Sequence, residues 1–237
     1  SMYDPADMEL PEGVPGEHDQ NPPHFQKTQE EKPDYSYLRE PDGNGCHGCH
    51  SHRKDREAMK KDMAVYYGMV SFMDACIGQI LDRLDELGLA DDTLVVFTSD
   101  HGHLFGQHDM IAKGPFHYED LVKVPFIARL PGRIEAGSRS GQLQSLVDLA
   151  PTFFDHAGLP IPRRFAGKNQ LPAWCGEAPA PRSHTSVENR HQPSTINART
   201  TIDERYKLTV YYKADYGELF DLQEDPGEHR NLWDDPE

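Results

Sequence analysis

Positive charge is scarce in this sequence, and the shortage excludes one large class of partners. The 237 residues include 24 lysines and arginines against 40 aspartates and glutamates, which gives a formal net charge of −16. Proteins that bind nucleic acid neutralise its phosphates with clustered lysine and arginine. We therefore expect no nucleic acid among the partners of this chain, and the acidic balance favours solubility.

Long apolar runs are missing as well. A membrane span needs roughly 20 predominantly apolar residues in a row, and no run in the sequence approaches that length. The first residues, Ser1–Pro5, have neither the basic start nor the apolar core of a signal peptide. We accordingly predict no membrane span, and the sequence leaves the native compartment open.

Cysteine is also scarce, but two of the four cysteines form a motif. Cys46-His47-Gly48-Cys49-His50 has the C-x-x-C-H spacing to which c-type haem attaches. The neighbouring residues are polar and offer no apolar cradle for haem, whereas two thiols beside imidazoles suit zinc or another metal. A polar loop whose cysteines are free or paired is the third interpretation. Cys76, in contrast, lies in a helical pattern typical of a buried thiol.

Prolines and apolar residues divide the chain into three parts. Residues 1–55 are rich in proline, and their apolar residues are isolated, which predicts an irregular, loop-rich segment at the surface. Residues 56–160 contain the helical and strand patterns of an α/β core. Residues 161–237 begin with a proline-rich connector and continue with short alternating runs, which predict a small antiparallel sheet.

Two helices of the central part have clear ends. Apolar residues recur every three or four positions from Arg56 to Leu87, and Gly88 follows in the position that commonly ends a helix. A second helix is predicted over 146–156, with Gly158 after it. The continuous apolar runs near 93–98 and 124–130 predict buried strands.

Two good metal ligands stand where the first of these strands ends. Asp100 and His101 follow the apolar run Leu94–Phe97, and open α/β folds place their chemistry at the ends of strands. A carboxylate oxygen and an imidazole nitrogen side by side can share a divalent cation. The alternative is a turn capped by Asp100 with an uninvolved histidine.

A glycine- and histidine-rich segment follows and contains one further candidate residue. Lys113 lies close in sequence to His103, His108 and His117. A lysine near a metal commonly serves an anionic group such as sulfate or phosphate. A solvated surface lysine is the alternative.

The order of short motifs from residue 56 onward resembles the second half of a type I sulfatase, in the alkaline-phosphatase-like superfamily. The motifs that carry the resemblance are Thr98-Ser99-Asp100-His101-Gly102, Gly106-Gln107-His108, Lys113–Asp120, Val124-Pro125-Phe126, Ser145–Thr152, Tyr206-Lys207-Leu208, Glu218–Leu222 and Asp225-Pro226. The resemblance implies an α/β fold: the C-terminal part of an alkaline-phosphatase-like sheet sandwich, followed by a small C-terminal antiparallel sheet.

The resemblance also implies roles for single residues. Asp100 and His101 match the pair that binds a divalent cation, which is calcium in most sulfatases. Many sulfatases have asparagine at the second position, whereas His101 is closer to the branch of sulfatases near the phosphonate and phosphodiester hydrolases, so manganese is the alternative ion. Lys113 matches the catalytic lysine that contacts the sulfate ester, where the family's cation and lysine offset sulfuryl charge during attack by formylglycine.

Three further residues are predicted to contact substrate. His117 lies close to Lys113 in the sequence, and Arg190 and His191 end a predicted strand in the part of sulfatases that contributes to the substrate pocket. The resemblance thus implies a sulfated small molecule or carbohydrate as the partner. A solvated loop is the alternative for the residues near Arg190.

The chain departs from the family pattern in one respect. None of its four cysteines begins the C/S-x-P-S/A-R sequence in which formylglycine forms, and no strand with the acidic pair that completes the metal site is present. We therefore expect those features in a missing N-terminal half of the catalytic domain, and no sulfatase activity from this chain alone. By family, a periplasmic or extracellular location is compatible.

The resulting hypothesis is a sulfuric ester hydrolase that carries part of the metal and sulfate site. A phosphonate monoester or phosphodiester hydrolase of the same superfamily is the enzymatic alternative. A non-catalytic metal-binding or interaction domain is the alternative from another class.

Overall fold

A computed structural model describes residues 2–31, 55–190 and 196–236. Contacts between Cα atoms divide the chain into two compact units. Unit 1 comprises Ser1–Ser71, His101–Lys123 and Ser186–Glu237, and unit 2 comprises Phe72–Asp100 and Val124–Thr185. The C-x-x-C-H motif at 46–50 and His191 lie outside the described residues. The boundaries predicted at residues 55 and 160 stay predictions.

The described elements follow one another in a mixed order of helices and short strands. The helices are α1 (Pro23–Lys27), α2 (Arg56–Glu86), α3 (Glu119–Val122), α4 (Leu149–His156) and α5 (Leu171–Trp174). The strands are β1 (Val95–Thr98), β2 (Leu104–Phe105), β3 (Ile111–Ala112), β4 (Phe126–Arg129), β5 (Thr185–Arg190), β6 (Asn197–Ile202), β7 (Tyr206–Tyr211) and β8 (Gly217–Asp221).

The described part of the N-terminal segment is irregular but not a surface excursion, so that prediction was wrong. Phe25 of α1 is fully buried and belongs to the main apolar cluster of unit 1, together with Leu104, Phe116 and Tyr118. Its ring meets the rings of Phe116 and Tyr118 edge to face. An isolated apolar residue can therefore anchor a proline-rich segment, because its side chain enters a core that other segments build.

Helix α2 confirms the predicted helix, and Gly88 follows it with a φ of +67°. Met59, Met63 and Ala64 near its N-terminal end are buried, but much of its predicted apolar face is exposed. The exposed large side chains are Val65, Tyr66, Tyr67, Met69, Val70, Phe72, Met73 and Ile80. Cys76 is a half-buried free thiol.

By length and composition alone, α2 is also long and apolar enough to cross a membrane. Core helices of soluble proteins meet the same criterion, so the predicted absence of a membrane span stays a prediction.

In unit 2, strands β1 and β4 form an antiparallel pair in which Val95 lies opposite Arg129 and Thr98 opposite Phe126. The sequence predicted that both strands are buried. Instead, the residues of β1 are only partly covered, and alternate residues of β4 are exposed, with Ile127 at 62%. The apolar runs correctly predicted the two strands. However, the part of the chain that the structure describes does not cover both faces of this pair.

Unit 2 is anchored by a buried carboxylate. Asp148, at the end of a 3-10 turn before α4, is 1% exposed and pairs with the guanidinium of Arg182 through two contacts. Its oxygens also accept hydrogen bonds from the Lys168 amide and the Gln170 side chain. Burial raises the pKa of Asp148, but these hydrogen bonds outweigh that effect and lower it.

Strands β5–β8 confirm the predicted antiparallel sheet, with the order β5-β6-β7-β8. Strand β7 alternates, but with polar residues on the covered face. Lys207 and Thr209 are 1% exposed, whereas Leu208 and Val210 are 39% and 42% exposed. The buried face of this sheet is therefore partly a polar network, rather than the apolar layer that alternation usually indicates.

Candidate active site

The segment that follows β1 brings two of the predicted site residues into contact. The Nζ atom of Lys113 lies 2.6 Å from Nε2 of His101, while Nδ1 of His101 lies 2.8 Å from the carbonyl oxygen of Gly102. Because a carbonyl only accepts, Nδ1 carries the proton and Nε2 presents its lone pair to the ammonium group. The side chain of Lys113 and an imidazole of defined tautomer therefore face each other.

Glycine is required beside His101. The amide of Gly102 donates to the carbonyl of Leu121 at 2.9 Å. A Cβ at this position would lie 1.7 Å from the backbone oxygen of Asp120. Only glycine allows the two backbone segments to approach so closely. This approach fixes the position of the backbone next to His101.

Lys113 follows a two-stranded hairpin. Strands β2 and β3 pair in antiparallel register, with Leu104 opposite Ala112, and Ala112 has a φ of +66°. Leu104 is fully buried, so the hairpin is anchored in the core, while Lys113 itself is exposed. The lysine thus stands on a rigid base and can reach a bound group.

His117 is buried and turned toward the C-terminal sheet. Its Nδ1 lies 2.6 Å from Oγ1 of Thr200 on β6, which in turn lies 2.7 Å from Oγ1 of Thr209 on β7. Burial, together with the positive charge of Lys207, lowers the pKa of His117 to about 4. The ring is therefore neutral at physiological pH and is held by a chain of hydroxyl groups.

Arg190, the last residue of β5, is exposed and forms an ion pair with Glu188 at 3.4 Å. Glu188 also pairs with Arg199 of the neighbouring strand. A guanidinium group in this position is accessible to a ligand.

No local sequence pattern indicates the buried ion cluster beneath the sheet. The Nζ atom of Lys207 pairs with Glu228 and lies 3.7 Å from Glu119, and Glu228 also accepts the Glu119 amide at 2.5 Å. Beside this cluster, Glu218 accepts a hydrogen bond of 2.6 Å from the hydroxyl of Tyr211. Burial raises the pKa of Glu218 to about 7.

A second group of side chains could hold a metal ion. One ligand atom each from Glu17, His108 and His229 lies within 4.8 Å of the others. Among the three, the sequence singled out only His108, and only for its position near Lys113. Because Glu17 and His229 lie 212 residues apart, no local spacing indicates the group.

Comparison with known proteins identifies the family that has this fold and these residues. The sulfatase family model matches residues 14–159, and a model for the C-terminal part of N-sulphoglucosamine sulphohydrolase matches residues 106–237. The chain therefore has the alkaline-phosphatase-like fold, and it belongs to the sulfatase family. This family generally binds a divalent cation.

Curated relatives support this assignment. The chain is 33% identical over 178 residues to N-acetylglucosamine-6-O-sulfatase of Bacteroides thetaiotaomicron, a match that covers 72% of the chain and 32% of the relative. It is 32% identical over 192 residues to human arylsulfatase K, with coverages of 76% and 35%. The chain thus spans about a third of the length of these relatives.

Solved structures show the same fold. A protein determined in complex with its substrate D-glucosamine-2-N,6-O-disulfate has a TM-score of 0.71 and 31% identity, covering 77% of this chain and 39% of that one. The phosphonate monoester hydrolase of Silicibacter pomeroyi has a TM-score of 0.78 and 29% identity, covering 100% of this chain and 48% of that one. Both enzymatic classes predicted from the sequence are thus present among its structural neighbours.

Proposed function

We propose that this chain provides part of the active site of a sulfuric ester hydrolase, with Lys113 as the residue that contacts the sulfate group. The contact between Lys113 and His101 carries the proposal, because it places a cation that can bind sulfate against a predicted metal ligand. The structure gives this cation a rigid base and an exposed position.

The donor set at the predicted metal pair fits a divalent cation. The carbonyl of Gly102 holds the proton of His101 on Nδ1, which leaves Nε2 as the ligand atom once Lys113 turns from it to the sulfate group. Asp100, the preceding residue, adds a carboxylate. We propose calcium because the chain belongs to the sulfatase family, in most members of which calcium is the ion. Manganese is the alternative because it accepts imidazole more readily than calcium does. The bound cation supplies positive charge beside the sulfate oxygens.

Lys113 binds and orients the anionic group in this proposal. Its ammonium group is exposed and contacts Nε2 of His101, so it can turn to a sulfate oxygen by giving up this hydrogen bond. In the reaction it offsets negative charge that develops on the sulfuryl group.

The proposed substrate is a sulfated carbohydrate or small molecule. The names of the relatives, among them an N-acetylglucosamine-6-O-sulfatase, support this class, as does the disulfated glucosamine in a structural neighbour. The exposed Arg190 suits a contact with an anionic sugar. The substrate-binding roles of His117, Arg190 and His191 stay predictions.

We further propose that the N-terminal half of a sulfatase catalytic domain completes the site. No cysteine or serine in the 237 residues begins C/S-x-P-S/A-R, so the formylglycine nucleophile has to come from elsewhere. The exposed apolar residues of α2, and Ile127 of β4, are side chains that such a half could cover.

Binding measurements test the part of the proposal that concerns this chain. Calorimetry should show Ca²⁺ or Mn²⁺ binding that Asp100→Ala removes. Inorganic sulfate should bind in the presence of the ion, and Lys113→Ala should weaken that binding at least tenfold. Lys123→Ala, which removes another exposed lysine of the same unit, is the matched control. Metal binding that is insensitive to Asp100→Ala but depends on Cys46 and Cys49 would favour the non-catalytic alternative.

Activity measurements test the reaction. The chain alone should not hydrolyse 4-nitrophenyl sulfate. When it replaces the matching segment of the Bacteroides N-acetylglucosamine-6-O-sulfatase, the chimera should hydrolyse sulfate esters, and Lys113→Ala should abolish turnover. Comparing a sulfate ester, a phosphonate monoester and a phosphodiester decides between the two enzymatic classes. Faster turnover of either phosphorus ester would refute the sulfatase proposal.

A further inference from the structure

The side chains of Glu17, His108 and His229 meet in unit 1, and His108 belongs to the same segment of the sequence as Lys113. Nδ1 of His108 lies 2.8 Å from Oε2 of Glu17, and Nδ1 of His229 lies 2.7 Å from the same oxygen. Glu17 and His108 are buried, while the His229 side chain is 37% exposed. Two imidazole nitrogens thus converge on one carboxylate oxygen, with a route to solvent on one side.

We propose that Glu17, His108 and His229 form a metal site that takes Zn²⁺, with a water molecule as the fourth ligand. Two imidazole nitrogens and one carboxylate oxygen are a donor set that zinc uses with an open fourth position. Hard cations such as Ca²⁺ prefer sites built from oxygen atoms, so this group selects against the ion proposed for Asp100 and His101.

The surroundings of His108 have the arrangement expected for a metal-binding histidine. Its Nδ1 faces Glu17, and its other nitrogen, Nε2, lies 3.8 Å from Oδ2 of Asp120. Histidines that bind metals usually donate their second N–H group to a carboxylate or carbonyl, which orients the ring and raises its basicity. Asp120 is placed to do this after a small movement of its partly exposed side chain.

The position of His108 is fixed from three sides. Its ring stacks on that of Tyr118 with a centroid distance of 3.6 Å and an angle of 6°. Nε2 of His18 donates to its carbonyl oxygen at 2.8 Å. Its φ of +55° is in the left-handed region, which is uncommon for a residue other than glycine. The surrounding structure therefore holds this histidine in a costly conformation, as at many functional sites.

Glu17 is prepared as a charged ligand. Its Oε1 accepts the amide of Val14 at 2.9 Å, which leaves Oε2 for the two histidines. Burial raises the pKa of Glu17, but the hydrogen bonds from His108 and His229 outweigh burial and lower it to about 2. The carboxylate is therefore ionised at neutral pH, and a cation would neutralise a buried negative charge.

Only a small rearrangement separates the hydrogen-bonded group from a metal site. Zinc–ligand distances of about 2.0–2.1 Å place tetrahedral ligand atoms about 3.3–3.4 Å apart. The two histidine nitrogens would have to move away from Glu17 Oε2 by about 0.6 Å each, and His229 is exposed enough to do so. Each Nδ1 would also lose the proton that it donates to Glu17, so that each neutral ring carries its proton on Nε2 instead.

The experiment measures Zn²⁺ binding to the full chain that carries Cys46→Ser and Cys49→Ser, so that the cysteine motif cannot contribute. One equivalent of zinc should bind in competition with a chromophoric chelator. His229→Asn and Glu17→Gln should each lower the affinity at least a hundredfold, and Asp120→Asn tenfold to a hundredfold. Asp100→Ala and His184→Asn, which changes an exposed histidine, should leave it unchanged.

Circular dichroism checks that the variants fold, and Co²⁺ gives a second measurement. Substituting Co²⁺ into the Asp100→Ala chain should give the intense visible absorption of a tetrahedral site. This measurement does not depend on the stability of the other variants. A chain without stoichiometric zinc, or zinc binding that survives His229→Asn in a folded variant, would overturn the proposal. So would a cobalt spectrum typical of a hydrated, octahedral ion.

Discussion

Glu218 should give the stability of this protein a pH dependence that one substitution removes. The side chain is 2% exposed, and its carboxylate accepts a hydrogen bond from Tyr211. Burial raises its pKa from the ordinary 4.5 to about 7. A carboxyl group with a raised pKa in the folded state keeps its proton more readily there than in the unfolded chain. Its contribution to stability is therefore full below pH 4.5 and is lost as the pH rises through 7.

The size of this effect follows from the two pKa values. Relative to low pH, ionisation of Glu218 costs the folded state about 0.8 kcal/mol at pH 5 and about 3.3 kcal/mol at pH 8. Glu218→Gln cannot ionise, and its amide oxygen can still accept the Tyr211 hydroxyl. The free energy of unfolding of the variant, relative to the original protein, should therefore rise by about 2.5 kcal/mol between pH 5 and pH 8.

The difference between the two proteins is the quantity to measure. His24 and His117 are buried, and burial lowers their pKa to about 3 and about 4. Both therefore favour the folded state increasingly as the pH rises toward 6.5, in opposition to Glu218, but they contribute equally to both proteins. Urea unfolding at pH 5 and pH 8 gives the difference, with the exposed Glu204→Gln as control. Parallel pH profiles for the original protein and Glu218→Gln would refute the reasoning.

Three more substitutions test the packing. Gly102→Ala should destabilise the fold by about 1–3 kcal/mol, because its Cβ would overlap the backbone oxygen of Asp120; an unchanged melting temperature would contradict this close approach. Glu228→Gln should cost about 3–5 kcal/mol in urea unfolding because it leaves the buried Lys207 without its charged partner, whereas adding Lys207→Met should restore most of the loss. Asp148→Asn should cost a similar amount by breaking its buried ion pair, and calorimetric unfolding at neutral pH measures it; a loss below about 1 kcal/mol would show that the pair is solvated.

Helix and strand locations were predictable because their signals are local. The apolar spacing and Gly88 located α2, and the alternating runs located β5–β8 within a few residues. The order of motifs around Asp100, His101 and Lys113 identified the family, which the comparisons confirm.

The direction in which side chains point was not predictable. The strand geometry of β7 places successive residues on opposite sides of the sheet. It does not predict which side is buried: Lys207 and Thr209 point inward, and Leu208 and Val210 point outward. Lys207 pairs with the buried carboxylate of Glu228, which lies 21 residues further along the chain. Pairings over such distances leave no periodic signal in the sequence.

The segment 1–55 shows a related limit. Its prolines predicted irregular backbone, but they could not indicate the burial of Phe25, which depends on the core side chains of Leu104, Phe116 and Tyr118. For the same reason, the group of Glu17, His108 and His229 could be recognised only in three dimensions.

The contacts of residues 13–21 have a consequence for synthesis on the ribosome. Glu17 bonds to His229, and the carbonyl of Gln20 accepts a hydrogen bond from Asn231, across sequence separations of 212 and 211 residues. At about 5–20 residues per second, the partners of this early segment emerge roughly 10–40 s after it. During that interval Phe25 and its neighbours have no complete core to enter. Phe25 and its neighbours therefore stay accessible to chaperones until the residues around His229 and Asn231 have been synthesised.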